Sequence, residues 1–239
     1  MFLKLAIGLV FYFGATAIKG ESEKTLPDCL PDNEVRQKVF ATYDREEAPE
    51  KTPVKVRMAV WLFEVEYVCP KSHKAVLNAY TSLLYQDQRL QYHQFNPCSK
   101  NMTVNYRKVW SPKITATNDR ELTIHKSPEK NVFGLLFENG TYWVCSRVNV
   151  HVPCDFSSKS RAHCALTAES FFGNRLKLQL EWDQTPFMDL QQSKGPWKLE
   201  KHETKKVTMT YPAGLWDKVE LHMHFVKERQ QSSEEDGKE

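Results

Sequence analysis

Two cysteines set among strand-forming residues constrain the fold of this chain more than any other feature of its sequence. Before the first, apolar residues alternate with polar ones over 148–152, which is the period-2 pattern of a half-buried β-strand running into Cys154. After Cys164, the alternation of leucines with polar residues over 176–182 predicts another strand. The pattern therefore predicts two strands joined across a short polar loop that the cysteines bracket.

The first residues, 1–20, have the layout of a secretory signal peptide. Lys4 precedes an apolar run over 5–13, and small residues follow it, so cleavage is expected after Ala17 or Gly20. A buried N-terminal helix is the alternative interpretation. The run is too short to span a bilayer, and no second run of that kind follows. We therefore expect a soluble, secreted protein without a membrane anchor.

Cysteine content and glycosylation sequons agree with an extracellular location. The chain has six cysteines, an even number that suggests disulfides in an oxidising compartment, although the sequence alone leaves their pairing open. Asn101 and Asn139 each begin an Asn-X-Thr sequon, so both are predicted surface glycosylation sites. A formal net charge of +3, with acids and bases intermixed, shows no basic stripe and does not indicate nucleic-acid binding.

Strand patterns dominate the chain between a short helix and a polar tail. Residues 31–42 predict a helix, and residues 228–239 form an acidic segment expected to be disordered. About ten strands are predicted, at 54–62, 75–92, 104–109, 121–124, 132–137, 142–152, 176–182, 197–200, 206–211 and 219–226. Strands at this spacing predict an all-β fold, a sandwich, rather than alternating β/α units.

No motif of enzymatic chemistry is present. The sequence lacks a nucleophile elbow, a zinc-protease HExxH and a glycine-rich phosphate loop, so we predict a protein that is not an enzyme and uses no cofactor. His222 and His224 have the spacing of two metal ligands on one strand face. No third ligand is evident beside them in the sequence, so they are interpreted as ordinary strand residues and no metal is predicted.

Five short segments, in their order along the chain, carry a family resemblance. Residues 84–92 (LYQDQRLQY) are similar to a W-x-D-x-R-L-x-W segment, with tyrosine at both tryptophan positions, and residues 109–114 (VWSPKI) to I-W-x-P-D-I. The sequon at Asn139 opens the hairpin that leads to the cysteine pair, and 189–200 and 211–219 match the last two segments. Together they resemble the extracellular ligand-binding domain of Cys-loop (nicotinic-type) receptors, and most closely the secreted acetylcholine-binding proteins.

The resemblance implies both architecture and function. It covers about residues 30–227 and places one ligand-binding domain at 21–227, an immunoglobulin-like β-sandwich with a short N-terminal helix. Family members assemble as a pentameric ring and bind small ligands between adjacent subunits, in a box of aromatic side chains. Ring faces hold an organic cation through cation–π attraction, worth about 0.5–2 kcal/mol per contact. The implied protein is a secreted homopentamer that binds a small cationic or aromatic ligand.

Carried over position by position, the resemblance places seven residues at this pocket. They are Thr117, Phe171, Tyr211 and Trp216 on the principal face, and Tyr80, Trp143 and Cys145 on the complementary face. The remaining tryptophans Trp61, Trp110, Trp182 and Trp197 are expected to pack in the core or along strands.

This sequence departs from the family at several pocket positions. Phe171 replaces a tryptophan, Thr117 replaces a tyrosine, and the vicinal cysteine pair of the hairpin called loop C is absent. A pocket of this composition suits a larger or more apolar ligand than acetylcholine. The alternatives are a structural or assembly ring or a receptor-associated protein, either with an unused pocket, and a truncated receptor isoform.

The resemblance also implies the cysteine pairing. It predicts a Cys154–Cys164 disulfide closing a loop of nine residues, which is shorter than is usual in the family and lacks its Phe-Pro-Phe core. Cys29 and Cys98 are both placed at the opposite end of the sandwich, so a second disulfide is predicted between them. No disulfide is predicted between the two remaining cysteines, Cys69 and Cys145. Cys145 is interpreted as a free buried thiol, a bridge partner or a wall of the pocket.

Overall fold

The computed structural model describes residues 28–49, 53–191 and 195–228. The predicted signal peptide and nearly all of the acidic tail lie outside these ranges. Helix α1 spans Asp32–Phe40. The strands are β1 (Val54–Cys69), β2 (Lys74–Gln86), β3 (Asn101–Thr103), β4 (Ile114–Ala116), β5 (Glu121–Ile124), β6 (Val132–Phe137), β7 (Thr141–Ser158), β8 (Arg161–Ser170), β9 (Leu178–Asp189), β10 (Trp197–Tyr211) and β11 (Gly214–Lys227).

The strands form two packed layers that share one long strand. The main path of the 11-stranded sheet runs β10–β11–β8–β7–β2–β1–β9, with β5 and β6 also paired to β7, β3 to β6, and β4 to β8. Strand β7 pairs with β2 and β6 in its first part and with β8 in its last, so it passes from one layer to the other. The predicted all-β sandwich with a short N-terminal helix is confirmed.

Alternation along the strands separates the core from the surface. On β11, Leu221, Met223 and Phe225 are at most 1% exposed, whereas His222 and His224 between them are only partly buried. Burying such side chains contributes about 1.5–3 kcal/mol each. A register slip of one residue would turn this apolar set toward solvent, which is why the pairing of β11 with β8 and β10 is well specified.

The cysteine-bracketed strands are β7 and β8, so the prediction that the strand at 176–182 follows the loop was wrong. Cys154 and Cys164 are directly opposite each other in this hairpin, with their Cα atoms 4.1 Å apart, and they form a disulfide. Both strands continue past the cysteines, so much of the enclosed segment is strand rather than loop. The pattern concealed β8 because its inward positions include Ala162 and Ala168, and alanine is a poor strand former.

Four other predicted strands differ from the structure. The strand expected over 75–92 ends at Gln86, because the side chain of Asp87 accepts a hydrogen bond from the backbone N–H of Arg89 and begins a 3-10 turn. The side chain of Asn105 likewise accepts a hydrogen bond from the backbone N–H of Arg107 and begins the 3-10 turn Tyr106–Lys108, which replaces the strand expected over 104–109. Such side chains compete with strand pairing because they form hydrogen bonds with the nearby backbone. The segments at 197–200 and 206–211 are one continuous strand, β10.

The second disulfide, Cys29–Cys98, joins the chain before α1 to the segment after β2. Backbone hydrogen bonds reinforce the link, because Leu30 N donates to Asn96 O at 2.8 Å and Cys98 N donates to Leu30 O at 2.9 Å. Cys69 and Cys145 are free thiols.

The two free thiols are expected to differ sharply in reactivity. Cys69 is half-buried, and hydrogen bonding from Ser72 lowers its thiol pKa, whereas burial raises the pKa of Cys145 to about 12. Because the thiolate is the reactive form, a thiol reagent at neutral pH should modify one cysteine per native chain, at Cys69. Mass spectrometry of the labelled protein checks this, with Cys69→Ser as the control. Labelling of Cys145 before unfolding would contradict the described packing.

Candidate functional site

Three side chains form a cluster on the outer face of the layer that contains β8, β10 and β11. The rings of Tyr211 and Trp216 meet edge to face with centroids 5.8 Å apart. Trp216 Nε1 donates to the backbone oxygen of Ser170 at 3.0 Å. The Tyr211 hydroxyl donates to Glu169 Oε2 at 3.1 Å. The structure therefore brings two predicted pocket residues together with a carboxylate that the sequence analysis had not selected.

Glu169 is an unusual residue for this position, because its side chain is buried without a cation. The residue is 7% exposed. Its partner across the β8–β11 pair is Lys218, but that ammonium lies 2.9 Å from Glu220 Oε1. Among the described residues, Glu169 forms no ion pair; its hydrogen bond from Tyr211 raises the pKa of that phenol. The sequence does show a glutamate two residues before Phe171, but Glu169 was not predicted as a site residue because the strand that contains it, β8, was not predicted.

The other two predicted residues of the principal face do not join this cluster. Phe171 follows β8 and is 73% exposed, and its backbone N–H donates to Lys113 O at 2.9 Å. The adjacent Phe172 packs instead against the buried Trp110, at 5.1 Å between centroids. Thr117 is exposed, with its hydroxyl oxygen 2.8 Å from that of Thr167. The Phe171 side chain is therefore exposed to solvent and is not part of the cluster.

The β10–β11 hairpin, at the position of loop C, is short and anchored. Its two-residue turn precedes Gly214, whose φ of +117° is a conformation that L side chains rarely adopt. Asn174 Nδ2 donates to Ala213 O at 2.9 Å, and Arg175 N donates to Leu215 O at 2.8 Å. Closing this hairpin further over a ligand would require both hydrogen bonds to break.

A second aromatic cluster covers the outer face of the other layer. Tyr80 on β2 contacts Phe63 at 4.7 Å and Trp61 at 6.3 Å between centroids, and Trp143 on β7 contacts Trp61 at 6.1 Å and Phe133 at 5.6 Å. Trp143 Nε1 donates to Ser82 Oγ at 2.7 Å. Trp61, expected to be a packing residue, thus shares a partly exposed face with two of the predicted pocket residues.

Cys145 lies on the same strand as Trp143, two residues further along β7. It is 6% exposed and carries a free thiol, so the interpretation as a bridge partner was wrong and the interpretation as a pocket wall stays a prediction. Its register partners are Ser82 on β2 and Phe133 on β6.

The two clusters face away from each other across the sandwich. Ala168 and Val144 line the space between the layers, so their neighbours Glu169 and Trp143 point outward from different layers. One copy of the domain therefore cannot bring the Glu169 cluster and the Trp143 cluster around one ligand. Only two copies, each presenting a different face, can do so.

The histidines of β11 have a third histidine beside them, which the sequence did not reveal. His163 on β8 stacks on His224 at 4.7 Å and on His222 at 5.2 Å between centroids, and His163 Nε2 lies 3.1 Å from His222 Nδ1. His222 Nε2 lies 3.1 Å from Glu220 Oε2. In the part of the chain that the structure describes, no three metal-ligating side chains are grouped so that they could hold an ion.

A further cleft lies beside the second aromatic cluster and shares Phe133 with it. It has a volume of about 680 Å³, borders α1 and β6, and is lined by several basic residues including Arg36, Arg107 and Lys130. Of the predicted pocket residues, none lines it. Within the described ranges, no helix is both long and apolar enough to cross a membrane.

Comparison with known proteins agrees with this architecture. Residues 32–232 match the family described as the neurotransmitter-gated ion-channel ligand binding domain. The chain is 32% identical over 216 residues to the acetylcholine-gated chloride channel subunit acc-1 of Caenorhabditis elegans, covering 86% of this chain and 46% of that protein. It is 24% identical over 232 residues to the serotonin-gated chloride channel mod-1 of the same species, covering 94% of this chain and 47% of that protein.

The chain thus spans about half the length of these curated relatives. The family match includes both strands of the cysteine-closed hairpin, both aromatic clusters and the β10–β11 hairpin. Its relatives are subunits of ligand-gated channels, which are not enzymes. This protein is a member of the neurotransmitter-gated ion-channel ligand-binding domain family.

Proposed function

We propose that this domain binds a small organic cation between two copies of itself. One copy supplies Tyr211, Trp216 and Glu169, and the next copy supplies Tyr80 and Trp143. The observation that carries the proposal is the buried, unpaired carboxylate of Glu169 beneath an aromatic pair. Removing a carboxylate from water is costly unless a cation compensates it, so a bound ammonium group would stabilise this site.

The chemistry of the site favours a protonated amine over a quaternary ammonium. The N–H groups of an amine can donate to Glu169, whereas a quaternary ammonium offers no donor and depends on ring faces alone. Tyr211 and Trp216 provide aromatic surface on one side, and Trp143 and Tyr80 provide it on the other. An aromatic amine would use both features, with its ring against the exposed Phe171.

We further propose that the protein acts as a secreted, soluble homopentamer of the acetylcholine-binding type. The signal-peptide pattern at 1–20 and the two sequons support this proposal, and both sequon asparagines are exposed. A mass measurement of the native, secreted assembly tests it. A ring of identical subunits is expected, and a monomer at binding concentrations would contradict the shared pocket.

Calorimetry with two ligands tests the site directly. The ligands are serotonin, an aromatic primary amine, and acetylcholine, a quaternary one; each is named in a channel similar to this chain. We expect serotonin to bind more tightly than acetylcholine. Glu169→Gln should weaken serotonin binding at least tenfold, or by about 1.4 kcal/mol, and should affect acetylcholine binding less. Glu34→Gln, on the exposed side of α1, is the matched control.

The alternative of an unused pocket predicts a different result. Neither ligand would then give heat or change the tryptophan fluorescence, although the ring would still assemble. Equal weakening by the Glu34 and Glu169 variants would point to nonspecific charge effects instead. Either result would overturn the proposed amine site.

A further inference from the structure

A cavity of about 490 Å³ lies inside each subunit, between the two layers of the sandwich. It is separate from both aromatic clusters, which lie on the outer faces. Its walls come from β1, β2, β7 and β8, together with β4, β5 and the loop between them, and we call the end at that loop, where Asp119 is partly exposed, the mouth. The lining side chains are mostly apolar, among them Met58, Val60, Leu83, Val148 and Leu166.

The cavity exists because small side chains oppose each other across the layers. Ala79, Ala116 and Ala168 occupy inward positions where a filled core would carry leucine, isoleucine or phenylalanine. The exposure of the walls agrees with this. Leu83 and Val144 point into the sandwich, yet both remain partly exposed, whereas Val148 and Val150 further along β7 are at most 2% exposed. Solvent therefore reaches the middle of the sandwich.

The mouth of the cavity carries one charge. Asp119 is the single charged residue among those that line it, and it forms no hydrogen bond or ion pair with the described residues through its carboxylate. Its neighbours hold it in place. Asn118 Nδ2 donates to Ala165 O at 2.8 Å and its Oδ1 accepts from Thr167 N at 2.9 Å, while Arg120 N donates to His151 O at 2.9 Å.

We propose that this cavity is a second binding site, contained in one subunit, for a small apolar molecule that carries one protonated amine. The apolar body lies between the layers, and the amine pairs with Asp119 at the mouth. The hydroxyls of Thr81 and Ser146 along the wall, and those of Ser111 and Thr115 nearer the mouth, offer additional polar contacts. The volume falls in the range of about 300–1,000 Å³ that is usual for small-molecule sites.

The site differs from the proposed interface pocket in a way that can be measured. It needs no neighbouring subunit, so its occupancy should not depend on assembly. The Trp143→Ala/Glu169→Gln double variant removes one residue from each half of the interface pocket and serves as the background. In this background we expect 2-(1-naphthyl)ethylamine to bind with one site per chain, and more tightly than the anionic 1-naphthylacetate, by calorimetry.

Three further substitutions test the cavity. Asp119→Asn should weaken naphthylethylamine binding about fivefold, as expected for one partly exposed ion pair, and should not weaken naphthylacetate binding, because the charge that it removes repels that anion. Asp155→Asn, on the exposed part of β7, is its matched control. Ser146→Leu should abolish binding of both probes by filling the space, and Ala79→Val provides a milder filling if that variant fails to fold.

The outcomes are distinguishable from those of the interface site. The cavity site is supported if naphthylethylamine binds to the background variant and if the cavity-filling substitutions abolish this binding. This conclusion holds even if the interface pocket binds nothing. Absence of naphthylethylamine binding in the folded background overturns the proposal. Binding that the cavity-filling variants leave unchanged also overturns it, because the probe would then lie elsewhere.

Discussion

Mixing two defective variants is expected to restore tight serotonin binding that neither variant has alone. Trp143→Ala subunits keep Glu169, and Glu169→Gln subunits keep Trp143. Because these residues face outward from different layers, each proposed pocket takes them from different copies. When the two variants are unfolded together and reassembled in equal amounts, about one quarter of the interfaces should combine both intact halves. Serotonin calorimetry on the mixture measures the recovered sites.

The loss in each parent variant should be large. Trp143 anchors the complementary cluster through contacts with Trp61 and Phe133, and aromatic anchors of this kind typically cost at least 2 kcal/mol, or about thirtyfold in affinity, when truncated. Trp182→Ala, on β9, is the control for general effects of losing a tryptophan. If the mixture binds no more serotonin than the parents, the two halves do not meet at one interface.

Replacing Asp87 by alanine is expected to lower the free energy of unfolding by about 3–5 kcal/mol, because it breaks a buried ion pair. The Asp87 side chain is fully buried. Its Oδ2 lies 2.7 Å from Arg89 Nη2 and accepts from the Tyr43 hydroxyl at 2.9 Å, and its Oδ1 accepts from Arg89 Nε at 2.9 Å. Removing the carboxylate leaves the Arg89 guanidinium without its counter-charge and the Tyr43 phenol without its acceptor.

This network also ties three distant segments together. The Tyr43 oxygen accepts from the backbone N–H of Trp110 at 2.9 Å, and the Arg89 guanidinium lies 4.6 Å from the Tyr43 ring centroid. The segments after α1, after β2 and before β4 therefore share one buried centre. Chemical denaturation of Asp87→Ala measures the expected loss. Asp183→Ala, which breaks a partly exposed pair with Arg57, should cost about 1 kcal/mol or less.

The strands could be predicted because alternation of apolar and polar residues is a local pattern. The disulfides could be predicted because the family motifs follow one another in a fixed order along the chain. Alternation over 148–152 and 219–226 follows from having one buried face, and it was confirmed in β7 and β11. The order of the motifs was sufficient to predict the Cys29–Cys98 and Cys154–Cys164 disulfides that the structure contains. Strand β8 was missed because small inward residues give a weak pattern; this omission also hid Glu169.

The sequence by itself determined the all-β class, the family resemblance and the identity of most aromatic side chains near the proposed pocket. Only the tertiary structure decided what surrounds them, because strands distant in the chain meet through pairing that local patterns do not encode. It placed Tyr211 over a buried carboxylate, packed Trp61 against Trp143 in the outer cluster, and anchored the β10–β11 hairpin to Asn174. The opposition of small residues across the layers, which creates the internal cavity, depends on the same long-range packing.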